Sequence, residues 1–315
     1  MSDTQTAATA SEPGVELHPT PCAICGTYDA ATVVYPANFT AEAFNAAVFS
    51  ARRLPDCIHY RLMRCDACGL MRSDPVADPG TLARLYKEST FDYGTEVESL
   101  KSTYGRYLTK CLVPAGGKPG SLLEVGCGNG FLLEEAVARG FGPVNGVEPS
   151  EAAVAQATDA IRPRLVCDIL RPGLFEPASF DGIAMFQVFD HLPDPAGALD
   201  TCLELLKPGG RLLLFNHDTA AWSAKLLGEK SPIIDIEHTY LYDPATLRKI
   251  AEKHGFRHVD SGAAWNGYSL GYVARLVPLP RFAKVPALKL LSATGIGRIP
   301  LRVPLGNQYL VAEKP

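Results

Sequence analysis

Two short runs, Cys22-Ala-Ile-Cys25-Gly26 and Cys65-Asp-Ala-Cys68-Gly69, present paired thiols on tight turns, with 39 residues between Cys25 and Cys65. Four thiolates from two such knuckles can meet tetrahedrally around one ion, which makes Cys22, Cys25, Cys65 and Cys68 candidate ligands of a closed, structural Zn2+. Cys57 and His59 are possible substitutes. A second concentration of chemistry is Leu122-Leu-Glu124-Val-Gly126-Cys127-Gly128-Asn129-Gly130-Phe131. It reads as a strand, a glycine-rich turn and a helix start, an arrangement that lets backbone approach a ligand closely at a helix N-terminus. A dinucleotide fingerprint needs glycine or alanine where Phe131 stands, so the run argues against a pyrophosphate. Val144-Asn-Gly-Val-Glu148 then supplies an acid 20 residues after Gly128. At a strand end, such a carboxylate accepts both hydrogens of a ribose diol, and the expected ligand carries a free ribose.

Two further groups suit proton transfer. Asp190-His191-Leu-Pro-Asp194 follows an apolar strand, which puts His191 at the carboxyl edge of the sheet, where open α/β folds bind ligands. Ile234-Asp-Ile-Glu237-His238-Thr-Tyr240-Leu-Tyr242 gathers carboxylate, imidazole and phenol within six residues, a grouping able to hold and tune a base.

The elements that must position these residues follow from periodicity. Apolar strands are expected at Leu122 to Val125, Val144 to Val147, Leu165 to Val166, Gly182 to Phe186, Arg211 to Phe215, Arg257 to Ser261 and Gln308 to Ala312. Helices fall between them, at Phe131 to Ala138 ending on Gly140, and at Ala196 to Leu206 ending on Lys207-Pro-Gly-Gly210. A third starts at Asp243-Pro244, an N-cap followed by proline at the first helical position, and closes at Gly255. Strand and helix in alternation mean an α/β fold built on a doubly wound, mostly parallel sheet. The stretch from Leu270 to Asn307 holds six basic residues and no acid among leucines and prolines, and is placed as an insertion before the last strand.

Composition bounds the function. The 315 residues are 47% hydrophobic and 20% charged, which describes a folded globular chain. A net charge of −4 gives no chain-wide attraction to phosphate backbones, so nucleic acid is a disfavoured partner. The apolar runs are far shorter than the roughly 20 residues of a membrane span, and the first 20 residues lack the basic start and apolar core of an export signal. Nine cysteines without such a signal suit a reducing compartment, and the expected location is the cytoplasm. Cys111, Cys167 and Cys202 read as small buried hydrophobes. Arg52, Arg53, Arg61, Arg64 and Arg72 make the cysteine region mildly basic, which reads narrowly as a solvated face.

The glycine run with its preceding acid, the Glu148 strand end, Val166-Cys-Asp168, Phe180-Asp-Gly-Ile-Ala-Met-Phe-Gln187 and Leu206-Lys-Pro-Gly-Gly resemble, in order, the class I S-adenosylmethionine-dependent methyltransferases. That resemblance implies a Rossmann-like seven-stranded sheet and the donor S-adenosylmethionine. Glu124, Gly126, Cys127, Gly128, Asn129 and Gly130 would hold its methionine end, Glu148 with Pro149 the ribose and Asp168 with Ile169 the adenine, while Gln187 lines the floor. The cysteine module, the sheet and Glu237-His238-Thr-Tyr240 together resemble the sugar C-methyltransferases that act on nucleotide-linked keto-deoxysugars. By that resemblance His238 is the base, Glu237 orients it, His191 stabilises the developing oxyanion, and Tyr240 and a tyrosine after the zinc module, Tyr93 or less well Tyr86, complete the site. Asp235 stands where that family has a tyrosine, and the chain is too short for its usual third domain.

The implied organisation is a disordered tail at 1–20, a zinc module at 21–75, a helical linker at 76–118, a methyltransferase domain at 119–268 and 306–315, and a basic apolar insertion at 269–305. The expected partner is a small molecule, a nucleotide-linked or lipid-linked sugar included, and residues 275–302 are a candidate peripheral membrane contact. RNA methylation and a non-catalytic cofactor-binding protein are the competing readings.

Overall fold

The computed structural model describes residues 16–39, 58–88, 97–276 and 281–315. Seven strands form the main sheet: β1 (Leu122–Val125), β2 (Val144–Val147), β3 (Leu165–Val166), β4 (Phe180–Phe186), β5 (Leu206–His217), β6 (Arg257–Ala263) and β7 (Asn307–Glu313). Their spatial order is β3-β2-β1-β4-β5-β7-β6. The first five run parallel, and β7 lies antiparallel between β5 and β6. The strand order reverses direction between β1 and β4, and such a switch opens a crevice at the carboxyl ends of the strands. All four residues of β1 are buried, as a parallel strand covered on both faces requires.

Two apolar layers sandwich the sheet. One face carries Leu123, Val125, Ile183, Met185, Leu212 and Leu214 beneath the helices Pro195–Leu205 and Pro244–Lys253. The other carries Leu122, Ala184, Phe186, Leu213 and Phe215 against the helices Val97–Leu112 and Phe131–Ala138. Phe131–Ala138 has the expected bounds, and Asp243 caps the helix that begins at Pro244 in a reciprocal capping box with Thr246. The expected turn at Lys207 to Gly210 lies inside β5, which begins at Leu206: Leu206 pairs with Phe180 and Arg211 with Gly182, and the residues between leave the ladder with Gly209 at φ 75°.

The cysteine region is not a separate appendage. Ala31–Tyr35, Leu62–Cys65 and Met71–Ser73 form an antiparallel sheet whose fourth strand, Tyr240–Leu241, comes from the segment after β5. Cys22, Ile24, Cys65 and Leu70 share an apolar cluster with Leu199, Leu247 and Tyr242. Part of the expected tail is structured, since Leu17–His18 pairs antiparallel with Val76–Ala77. Arg72, fully buried, explains this correction: its guanidinium donates to the carbonyls of Thr20 and Tyr28 at 2.8 and 2.6 Å, so it fixes residues 20–28 and is no part of a solvated face.

The insertion before β7 is a stem with a helical tip. Asn266–Ser269 pairs with Pro300–Val303, and helices Leu270–Leu276 and Arg281–Ala293 lie between them. The stem is docked on Val97–Leu112, where Thr103 Oγ1 accepts from Gly267 and Tyr107 Oη from Trp265. Among the described residues no helix is long and apolar enough to cross a membrane.

Candidate active site

The glycine loop leaves β1 through Gly126, Gly128 and Gly130, with φ of 70°, 56° and 75°. Only glycine adopts that alternation without strain. Close packing adds a second constraint, because a Cβ on Gly126 would stand 2.3 Å from a methyl of Val188. The loop is pinned to β2: the nitrogens of Gly126 and Cys127 donate to the Val147 carbonyl at 2.8 and 3.2 Å. Asn129 Oδ1 accepts from the Phe131 nitrogen at 3.3 Å, while Gly130 is the N-cap of the following helix. Cys127 is buried, its thiol beneath the loop.

Glu148 is held from both sides, Oε2 accepting from Gly128 at 2.9 Å and Oε1 from Ser150 at 2.9 Å. Pro149 leads into the short helix Glu151–Ala155, which Ser150 caps. Glu124 is buried, and its Oε2 has no hydrogen-bond partner. Burial first, and then the charge of Glu148, pushes its carboxyl well above the usual range. Burial also raises Glu148, against the two backbone donors. Two neighbouring carboxyls in low dielectric favour a cationic ligand that offers N–H and O–H donors. A sulfonium with an ammonium group and a ribose has those features, so the loop fits the expected donor.

Asp168 lies on the surface after β3, its Oδ1 accepting from Ile169 at 2.8 Å and its Oδ2 paired with Arg171. The exposed Ile169 beside it offers an apolar face. Gln187 ends β4 in a left-handed conformation, φ 56°, uncommon for a residue with a side chain. Its nitrogen donates to Phe215 at 2.7 Å and its Nε2 to Asn307 at 3.0 Å, while Oε1 is buried without a partner.

Beyond Gln187, and one strand over from the glycine loop, three imidazoles surround a buried carboxylate. His217 Nδ1 donates to Asp190 Oδ2 at 2.8 Å, His238 Nε2 lies 3.9 Å from the same oxygen, and His191 Nε2 lies 3.7 Å from Oδ1. The rings of His191 and His217 each stand 4.7 Å from that of His238. The backbone assembles the cluster: Thr239 and Tyr240 donate to the Asp190 carbonyl, and Ser73 of the cysteine sheet donates through Oγ to the His238 carbonyl at 2.8 Å.

Burial opposes ionisation of Asp190, but the bond from His217 and the nearby His238 and His191 outweigh it and hold the carboxyl below the ordinary range. Burial lowers His191 to about 3 against the pull of Asp190, and lowers His238 as well. His238 Nδ1 is engaged with the Ile233 carbonyl at 2.8 Å, so the neutral ring keeps a lone pair on Nε2, facing Asp190. The arrangement can accept a proton.

The sequence placed His191 and His238 in the site, and the fold brings them together. The His238 ring is hydrogen-bonded to the Ile233 carbonyl and faces Asp190, and the backbone nitrogen of Glu237 donates to Asp235 at 3.2 Å. Tyr240 is directed away: its phenol donates to the Pro21 carbonyl at 3.0 Å and anchors the cysteine region, because strand pairing with Arg72 turns it to that side. Tyr93 and Cys57 lie outside the described residues. His217 was missed, although it ends an apolar strand as His191 nearly does.

At the other site, Cys22, Cys25, Cys65 and Cys68 each bring one Sγ within 4.8 Å of the others. Cys22 and Cys68 sulfurs are 3.4 Å apart, Cys25 and Cys65 sulfurs 4.0 Å. His59 is not a substitute ligand, since it is buried between the Tyr60 carbonyl and Glu229.

A family described as "Methyltransferase domain" matches residues 98–261. The ubiquinone biosynthesis O-methyltransferase of Xylella fastidiosa strain M23 is 35% identical over 133 residues, 39% of this chain and 51% of the relative. The protein of that name from Coxiella burnetii strain Dugway 5J108-111 is 28% identical over 151 residues, 44% of this chain and 64% of the relative. The chain thus spans about half the length of the first of these curated relatives. A solved S-adenosylmethionine-dependent methyltransferase from Archaeoglobus fulgidus aligns with a TM-score of 0.46 at 19% identity, over 75% of this chain and all of that one.

Proposed function

Because the chain belongs to the class I S-adenosylmethionine-dependent methyltransferases, we propose that it methylates an oxygen or an enolisable carbon of a small polar metabolite, a sugar or a related hydroxylated compound. The Asp190, His217 and His238 cluster carries this reading. Transfer from a sulfonium is an in-line displacement, and an oxygen or carbon acceptor must lose a proton to become the nucleophile. A neutral imidazole with a free lone pair, placed at the strand ends beside the donor loop, is a suitable acceptor for that proton. His238 is the proposed base and His191 the proposed donor to a developing oxyanion. Glu124 and Glu148 are the proposed partners of the donor's ammonium and ribose, and Asp168 with Ile169 those of its adenine. The relatives' names favour oxygen as the atom methylated.

A second reading makes the acceptor lipid-linked. Phe282 is 83% exposed and Leu290 65% exposed on the helix Arg281–Ala293, which also carries Lys284 and Lys289. Such a face suits an anionic lipid surface. One experiment separates these readings: incubation with labelled donor and panels of nucleotide-linked keto sugars and hydroxylated rings, each with and without anionic vesicles. Gain of one methyl by a water-soluble acceptor supports the main reading, and turnover seen only with vesicles supports the second. Donor consumption by neither panel contradicts both.

The four cysteines are proposed as a structural Zn2+ site. Cys65→Ser is expected to release one equivalent of zinc and lower Tm by about 5 °C or more, since a metal bound only by the folded chain contributes to its stability. Elemental analysis and a melting curve check this, and unchanged metal content would exclude the site.

A further inference from the structure

We propose that Asp190, His217 and His238 also form a binding site for a divalent transition-metal ion. One ligand atom from each lies within 4.8 Å of the other two. The observation that points to an ion is the facing of lone pairs. His238 is committed through Nδ1 to the Ile233 carbonyl, so Nε2 presents a lone pair to Asp190 Oδ2 at 3.9 Å with no hydrogen between them. A metal-binding histidine typically has this arrangement, its other ring nitrogen donating to a backbone carbonyl that fixes tautomer and orientation. Among the described residues, the buried Asp190 Oδ1 has no hydrogen-bond partner, and His191 Nε2 lies 3.7 Å from it. Among the described residues, the titratable groups that face Asp190 are the imidazoles of His191, His217 and His238 and the buried phenol of Tyr242, which the Asp190 charge helps to keep protonated, and a cation would balance that charge.

Metal–ligand distances near 2.1 Å separate ligand atoms by roughly 3.4 Å, so the site closes on an ion by shifts of about half an ångström. His217 Nδ1, now 2.8 Å from Asp190 Oδ2, becomes a ligand when its proton moves to Nε2. Two imidazoles and one carboxylate suit Zn2+, Fe2+, Co2+ or Mn2+ better than Ca2+, which takes six to eight oxygens. The side chains of His217 and His191 are 23% and 21% exposed, which leaves a path for the ion and room for an acceptor oxygen.

This inference deepens the proposed site and rests on the methyl-acceptor reading only for the ion's role. An ion held there would lower the pKa of a coordinated acceptor hydroxyl, whose proton would then pass to water at the partly exposed edge of the site, whereas without the ion the His238 lone pair would take that proton directly. The test needs no acceptor. Full-length protein is stripped of metal and titrated with Zn2+ and with Co2+, counting equivalents by elemental analysis. Wild type is expected to bind one equivalent more than Asp190→Asn and His217→Gln, or to bind that equivalent at least about tenfold more tightly. The cysteines are intact in all three proteins, so any ion they hold cancels. His217→Gln, at a partly exposed position, keeps the test valid if the buried Asp190 variant fails to fold. Equal stoichiometry and affinity in wild type and His217→Gln would overturn the proposal, whatever the outcome of the acceptor screen.

Discussion

Replacing His238 by alanine is expected to lower the rate of methyl transfer by about 10²- to 10⁴-fold, the usual contribution of a positioned general base. Affinity for S-adenosylmethionine should stay within about twofold. The two effects separate because His238 stands in the segment before Tyr240–Leu241, whereas the glycine loop is fixed by β2 and by Glu148. The ring is buried against Asp190 and hydrogen-bonded to Ile233, so circular dichroism and donor titration must accompany the kinetics. A variant that binds donor normally and turns over at the wild-type rate would remove His238 from the reaction.

The second large effect is expected at the loop itself. Gly126→Ala should weaken donor binding by about 10²-fold. Two costs coincide there: a side chain at φ 70°, worth about 1–2 kcal/mol, and a Cβ within 2.3 Å of Val188. The loop can relieve them only by moving away from β2 and from the Glu148 carboxylate that Gly128 holds. Gly173→Ala is the control, since Gly173 has φ 78° and nothing within 4 Å of the added carbon. Strain alone then leaves donor affinity unchanged, and isothermal titration of both variants distinguishes loop geometry from general destabilisation. Equal affinity in wild type and Gly126→Ala would show that the loop does not contact the donor.

Much of this was legible in the sequence where local pattern governs local structure. β1, β2 and β3 have the expected bounds because each is a short apolar run closed by turn residues, and Asp243-Pro244 announced its helix by cap chemistry alone. What escaped depends on contacts far apart in the chain. Tyr240–Leu241 is too short to read as a strand, yet its pairing with Met71 and Arg72 merges the cysteine region with the main fold and turns Tyr240 toward Pro21. Leu17–His18 is ordered by Val76–Ala77 for the same reason. His191 and His238 could be picked as strand-end or clustered histidines, but that Asp190 sits between them and recruits His217 from the end of β5 is a property of strand order. The left-handed turn at Gln187 has no signature in a residue with a side chain. The helical tip of the insertion also went unread, its leucines and prolines fitting no single period.

The glycine loop, Glu124 and Glu148 are proposed to take a cationic sulfonium donor. Calorimetric titration of the full-length protein with S-adenosylmethionine, its demethylated product and a nicotinamide dinucleotide tests it directly. One equivalent of donor and of product per chain, with no heat from the dinucleotide, is the predicted result. Binding of the dinucleotide in place of the donor would contradict it.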